Sequence, residues 1–262
     1  MKKAALAAAL ALAALVWGFW LVAVPGDLVV DFIEDSARAE GMEVRVEGFR
    51  KGLFYSFSAD AVSLLRSDAA LVRATGVSGR LDFAGLLGLR AVVPFRGTVA
   101  GGALKGRASV AGGGGYEVDA SLEGARVAGI GAVSLAGIKG DGELSGDFHM
   151  RDGLGELRFT VKAAAFDAMA YGGYAVPLNM FHTLRGALLI KGDTVEVDSV
   201  ALEGEGIYAR ARGKVVGRAV DMELELMPEE SVVPESVMMA MAGRYRVSKG
   251  YYVIPLKANL DF

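Results

Sequence analysis

The stretch ALEGEGIYARARGKV, residues 201–215, decides between two classes of fold. It contains Gly204-x-Gly206-x-x-Ala209, the spacing of a dinucleotide-binding turn, in which glycines let the backbone approach a pyrophosphate at the start of a helix. From residue 207 onward, however, apolar and polar side chains alternate. Alternation indicates a strand, in the place where a dinucleotide fold requires a helix. We therefore predict that the glycines mark a hairpin or a bulge and that no nucleotide binds here.

The same period of two residues returns along the chain. Apolar side chains alternate with charged or polar ones in residues 43–47, 104–110, 117–123, 157–162 and 220–226. Such alternation is typical of antiparallel strands with one apolar and one solvated face, and glycine clusters between the segments are typical of hairpin turns. The sequence therefore predicts a mostly β protein. We expect a folded-over (taco-like) antiparallel sheet or a sandwich of repeated hairpins, with a few short helices.

A short repeat supports this interpretation. The triplet Leu-x-Gly recurs at strand edges, which suggests a sheet that is built from repeating hairpins. Its copies are Leu104–Gly106, Leu122–Gly124, Leu135–Gly137, Leu144–Gly146, Leu184–Gly186 and Leu202–Gly204. Short helices are predicted at residues 82–90 and 234–244. The methionines of the second helix, around Met238, either cover an open end of the core or form a surface for a partner.

Composition excludes several classes of protein. The chain has 262 residues, of which 53% are hydrophobic, so a disordered chain is not expected. Its formal charge of −3 provides no basic surface for nucleic acid. There is no cysteine, and hence neither a disulfide nor a thiolate metal site.

The N-terminus has the pattern of a membrane anchor. Residues 4–24 carry no charge and, at about 1.5 Å per residue, match a bilayer core of roughly 30 Å. Lys2 and Lys3 precede this segment and acidic residues follow it, so the N-terminus is predicted to be cytoplasmic. Trp17 and Trp20 are placed near the outer interface. A cleaved signal peptide is the alternative, although the apolar run is long for one and lacks a good cleavage site.

These patterns divide the chain into three parts. Residues 1–25 are predicted to form a cytoplasmic tip and a single transmembrane anchor. Residues 26–41 have apolar positions at helical spacing and are predicted to form a short amphipathic helix. Residues 42–262 are predicted to form a β domain on the far side of the membrane.

No motif for catalysis or metal binding stands out. The two histidines, His149 and His182, have no second ligand at a recognisable metal spacing. Asp141, Glu143 and Asp147 lack the spacing of a calcium loop. No nucleophile elbow, zinc-protease motif or phosphate-binding loop is present. We therefore expect no enzyme, no cofactor and no metal site.

The apolar face of the sheet is the more informative candidate. A sheet that exposed a long apolar face would aggregate, so this face must be covered, either by the sheet itself or by another apolar body such as a lipid chain. The residues predicted to line it are Val118, Leu122, Phe159, Ile207, Val220 and Leu224. Both ways of covering the face remain open at this point.

Three segments carry a resemblance to a known family. They are GMEVRVEGFRKGLFYSFSADAVSLL (residues 41–65), GRLDFAGLLGLRAVVPFRGTVAGGALKGRASV (79–110) and LRGALLIKGDTVEVDSVALEGEGIYARARGKV (184–215). With the N-terminal anchor, they resemble the GspN proteins of bacterial type II secretion systems, which share repeat character with AsmA-like periplasmic proteins. The likeness covers almost the whole chain, through short, glycine-based motifs.

The resemblance implies a single-pass inner-membrane protein of a diderm bacterium, with a periplasmic β domain and no catalytic residues. It implies a non-enzymatic component of a type II secretion machine that acts through contacts with other secretion or envelope proteins. The AsmA-like side of the resemblance implies the alternative, a periplasmic protein that binds or transfers lipid acyl chains in a hydrophobic β groove.

Overall fold

The computed structural model describes residues 25–39, 43–66, 68–82, 89–171, 174–233, 238 and 242–259. The predicted anchor, with Lys2, Lys3, Trp17 and Trp20, lies outside the described residues, as do most of the helices predicted at 82–90 and 234–244. Within the described residues, no helix is both long and apolar enough to cross a membrane.

Strands account for most of the described chain. A helix, α1 (Gly26–Ala39), comes first, within the predicted segment 26–41, and a one-turn helix, α2 (Gly131–Leu135), interrupts the strands. The strands are β1 (Glu43–Glu47), β2 (Arg50–Lys51), β3 (Ser56–Arg66), β4 (Ala69–Arg80), β5 (Arg90–Val99), β6 (Gly102–Ala111), β7 (Tyr116–Arg126), β8 (Gly140–Arg151), β9 (Leu154–Phe166), β10 (Met169–Tyr171), β11 (Tyr174–Val176), β12 (Phe181–Lys191), β13 (Thr194–Gly204), β14 (Ile207–Val216), β15 (Ala219–Pro228), β16 (Arg246–Ser248) and β17 (Tyr251–Asn259).

One antiparallel sheet contains 15 of these strands. Its order is β1-β3-β4-β5-β6-β7-β8-β9-β12-β13-β14-β15-β17-β16, with β2 also paired to β3, and β10 and β11 form a separate hairpin. Most strands pair with their neighbours in sequence, and short glycine-containing turns close several of these hairpins, such as those from β12 to β15. The prediction of a mostly β, antiparallel fold built from hairpins is confirmed.

The segment with the dinucleotide-like spacing is a hairpin. Strand β14 begins at Ile207 and runs through Ala209, and Glu205 and Gly206 form the tight turn that joins it to β13. Gly206 has φ +64°, a conformation that costs little only for glycine. The prediction of a strand rather than a helix after these glycines is therefore confirmed.

Paired glycines and phenylalanines explain part of the Leu-x-Gly repeat. A Cβ atom added at Gly106 would lie 2.3 Å from Cζ of Phe95, and one added at Gly186 would lie 2.3 Å from Cε1 of Phe159. In both pairs the aromatic ring of one strand occupies the space above a glycine of the adjacent strand. The leucine of each triplet lies on the same face two residues earlier, so the triplet alternates a large side chain with a space for a ring.

The sheet is strongly curved. Arg66, at the end of β3, donates a hydrogen bond of 3.1 Å to the carbonyl oxygen of Gly217, after β14. These strands are nine steps apart in the sheet, which would separate them by about 43 Å in a flat sheet with strands about 4.8 Å apart. Val62 of β3 and Leu144 of β8 also pack in one hydrophobic cluster, five steps apart. The apolar face is therefore the concave one.

The two edges of the sheet are protected differently. Helix α1 packs on the N-terminal edge, where the backbone N–H of Val46 in β1 donates a 3.0 Å hydrogen bond to Glu34. At the other edge, the short strand β16 pairs with only the beginning of β17, and Pro255 lies within the remainder. A covering helix and an edge proline both discourage pairing with a further chain.

Candidate functional site

The strand register places the six predicted lining residues on a single face. Leu122, Phe159 and Leu224 belong to one row, in which each residue stands opposite the next across the sheet: Leu122, Gly146, Phe159, Gly186, Val200, Ala211 and Leu224. Val118 and Val220 belong to a second row: Val118, Met150, Gly155, Ile190, Val195, Val215 and Val220. Ile207 lies on the same face of β14, two residues before Ala209.

Burial divides this face into two regions. Ile207 and Leu224 are 4% and 5% exposed and pack in a closed core with Tyr252, Met238 and Ala242. Met238 thus contributes to the cover of the core, as one of the two sequence interpretations predicted. Leu122 and Phe159 are half-buried against neighbouring clusters, which include residues of α2 and of the connection from β9 to β12.

The second region is only partly buried, and we call it the apolar groove. One side chain within it, Val197 opposite Leu188, is buried at 7% exposure, and ten others are partly accessible and belong to no core cluster. They are Val118, Ala120, Phe148, Met150, Leu157, Leu188, Ile190, Val195, Val215 and Val220. The groove crosses the sheet from β7 to β15, which is six steps or about 29 Å at about 4.8 Å per step.

The rim of the groove is formed by hairpin ends. Arg151 stands opposite Leu154, Leu154 opposite Lys191, and the row continues through Thr194 to Val216. Leu154 and Val216 are 58% and 41% exposed there. Near the β5–β6 end of this rim, Leu89 is 80% exposed. This row also includes Glu117 and is one residue away from Gly155 and Val215 of the second row, so its side chains belong to the opposite face of the sheet.

The opposite face of the sheet, which we call the outer face, is covered by ion pairs between neighbouring strands. Arg212 pairs with Glu223 and Glu225, at 3.4 and 3.0 Å. Arg73 donates two hydrogen bonds to Glu47, of 3.0 and 2.7 Å, and these hold the pKa of the Glu47 carboxyl below its ordinary value. The long side chains cover small residues such as Ser63, which is 2% exposed in β3 between Arg45 and Arg73.

A cleft of about 680 Å³ lies on the outer face, across β5 to β9. Its lining includes Arg107, Asp119, His149, Glu156 and Arg158. His149 Nδ1 lies 2.6 Å from Asp119 Oδ1, and Glu117 is close to both residues. The other histidine, His182, is exposed on β12, with Nδ1 3.2 Å from the hydroxyl of Thr183.

Sequence reasoning missed the grouping around His149 because it searched for ligands at short spacings. Asp119 is 30 residues away in sequence and becomes a neighbour through the pairing of β7 with β8. The available signal was weaker: Glu117 and Asp119 share the polar face of one strand, and His149 lies on the polar face of the next. Asp141, by contrast, lies at the start of β8, where it pairs with Arg126 at the end of β7 and accepts a hydrogen bond from the backbone N–H of Gly142.

Comparisons with protein-family models, with curated proteins and with solved structures gave no match.

Proposed function

We propose that this chain is a non-enzymatic envelope protein that binds lipid acyl chains in the apolar groove. The observation that carries the proposal is the division of one continuous apolar face into a closed core and a partly buried region. Buried apolar side chains such as Leu224 account for folding, whereas Val118, Phe148 and Val220 stay partly accessible on the concave side of the sheet. Contiguous accessible apolar surface commonly marks a binding site.

The dimensions suit an acyl chain. Measured along the curved sheet, the groove extends over about 29 Å, whereas one leaflet of a bilayer core is about 15 Å thick, half of roughly 30 Å. Each methylene group that moves from water into such a site contributes about 0.8 kcal/mol. The groove side chains are aliphatic apart from Phe148, and they offer no buried charge that would select a polar ligand.

The proposal includes the compartment and the overall form. The folded-over sheet would face the periplasm of a diderm bacterium, held at the inner membrane by residues 1–25 with the N-terminus cytoplasmic. The anchor would keep the groove next to a lipid source.

Photo-crosslinking in living cells tests the proposal on the full chain. A photoreactive amino acid is introduced at Val118 or Val220, inside the groove, and at the adjacent outer-face positions Asp119 or Asp221 as matched controls. We expect mass spectrometry to find lipid adducts at the groove positions and none at the controls. Equal lipid labelling of both faces, or no lipid adduct at either groove position, would overturn the proposal.

A role in a type II secretion machine, through contacts with other envelope proteins, is the second candidate. The outer-face cleft favours it, because a concave surface with charges of both signs suits a polar protein interface. The same crosslinking series separates the two candidates. Protein adducts at Asp119, together with the absence of lipid from Val118, would favour the secretion role.

A further inference from the structure

Glu117, Asp119 and His149 form a mixed nitrogen and oxygen donor set. One carboxylate oxygen of each acidic residue and one ring nitrogen of His149 lie within 4.8 Å of one another. Glu117 and Asp119 are two residues apart on β7 and therefore share a face. His149 stands directly opposite Asp119 on β8. The pairing of two strands thus brings together three side chains of the types that bind divalent transition metals.

The geometry points to a binding site for Zn²⁺ or a similar divalent ion on the outer face, formed by these three residues. Zn²⁺ binds nitrogen and carboxylate oxygen at about 2.0–2.2 Å, so neighbouring ligand atoms in a tetrahedral site are about 3.4 Å apart. To reach this spacing, the distance between Asp119 Oδ1 and His149 Nδ1 has to increase by about 0.8 Å. The longest separation between ligand atoms has to decrease by at most about 1.4 Å.

Side-chain rotation can supply these movements. The side chains of Asp119 and His149 are 58% and 45% exposed, so neither is locked by packing. The side chain of Glu117, the third ligand, is only 18% exposed and is held in place by its ion pairs with Arg90 and Arg151. Three protein ligands leave the fourth tetrahedral position for water or for a donor from a partner. Asp119 and His149 line the outer-face cleft, so that position is reachable from solution.

Two arginines compete with the ion for Glu117. The Nη2 atoms of Arg90 and Arg151 donate hydrogen bonds of 2.5 and 2.9 Å to the two oxygens of this carboxylate. Nearby positive charge opposes the approach of a dication. Removal of one arginine should therefore strengthen metal binding, an effect that a merely structural role of the cluster does not predict. The site lies on the face opposite the apolar groove, and its test is independent of lipid binding.

Isothermal titration of the full-length protein with ZnCl₂, purified without a histidine tag, tests the site. The chain has two histidines and no cysteine, so His182 is the matched control. We expect His149→Asn to lower Zn²⁺ affinity at least about tenfold, since even indirect partners of a metal change affinity by about 10–100-fold. His182→Asn should leave it unchanged. Asp119→Asn provides a second ligand deletion should His149→Asn fail to fold, as judged by circular dichroism.

Replacement of an arginine beside Glu117 should change Zn²⁺ affinity in the opposite direction. Arg151→Gln should raise Zn²⁺ affinity severalfold. Arg185→Gln should leave it unchanged, because Arg185 is equally exposed, at 63%, but pairs with Glu203 away from the site. The proposal is overturned if the unmodified protein binds no Zn²⁺, if a folded ligand-deletion variant binds as tightly as the unmodified protein, or if both arginine variants behave alike.

Discussion

Leu224→Asp tests whether the apolar face is a closed core near the C-terminal strands. Leu224 is 5% exposed, and its cross-strand neighbours are Ala211 and Ile254. All three residues belong to the same core cluster. Neither neighbour has a side-chain charge or hydrogen-bond donor for a carboxylate, so the introduced acid would be buried without a partner.

The expected cost can be worked out in two steps. Removal of a buried leucine side chain costs about 2–5 kcal/mol. A carboxylate in this position would bind a proton, and protonating an aspartate with a pKa of about 3.9 at pH 7 costs about 4 kcal/mol, at about 1.36 kcal/mol per unit. The sum, about 6–9 kcal/mol, is comparable with the typical stability of a domain, about 5–15 kcal/mol. We therefore expect the variant to be largely unfolded at neutral pH.

Val220→Asp is the matched control for this experiment. It lies on the same strand and the same face, but in the partly buried groove, where a carboxylate can reach water. We expect this substitution to lower the free energy of unfolding by less than about 2 kcal/mol. Urea unfolding of both variants, followed by the circular dichroism of the sheet, gives the comparison. Similar midpoints for the two variants would refute the division of this face into core and groove.

Three further predictions concern glycine positions and pH. Gly206→Ala should lower the free energy of unfolding in urea by about 1–3 kcal/mol, because φ is +64° and the added Cβ would lie 2.2 Å from Cβ of Val232. Gly217→Ala, with φ +56° but no such contact, should cause a smaller loss, and equal losses would contradict the steric argument. Gly186→Ala should lower the free energy of unfolding by about 1–3 kcal/mol, because the added Cβ displaces the ring of Phe159, and by much less when Phe159 is also replaced by Leu. If the losses of the two single variants simply add in the double variant, the two residues do not interact. The hydrogen bond from Arg73 lowers the pKa of Glu47, so its contribution to stability is complete above the unfolded-state pKa and is lost as pH falls through the lower folded-state pKa. An NMR titration should therefore give a higher midpoint for Glu47 in the Arg73→Gln variant, and an unchanged midpoint would disprove the coupling.

Local pattern was enough to predict the strands and the faces of the sheet. Alternation over residues 207–212 identified β14, although Gly204, Gly206 and Ala209 have a dinucleotide-like spacing. Side chains alternate between the two faces of a strand, so each apolar residue in an alternating segment indicates the orientation of its neighbours. For the same reason, Val118 and Val220 could be assigned to one face, and the register places them in one row.

Only the tertiary structure decided which part of the apolar face is covered and which polar residues meet. Val220 and Leu224 look alike in sequence, yet Val220 is only partly buried and Leu224 is buried, because the core around Leu224 includes residues distant in sequence such as Met238 and Tyr252. Likewise, the contact between His149 and Asp119 depends on the register of β7 and β8. The alternation within a strand indicates which side chains share a face. The curvature of the sheet, the burial of each face and the cross-strand neighbours depend on long-range pairing, which no local pattern contains.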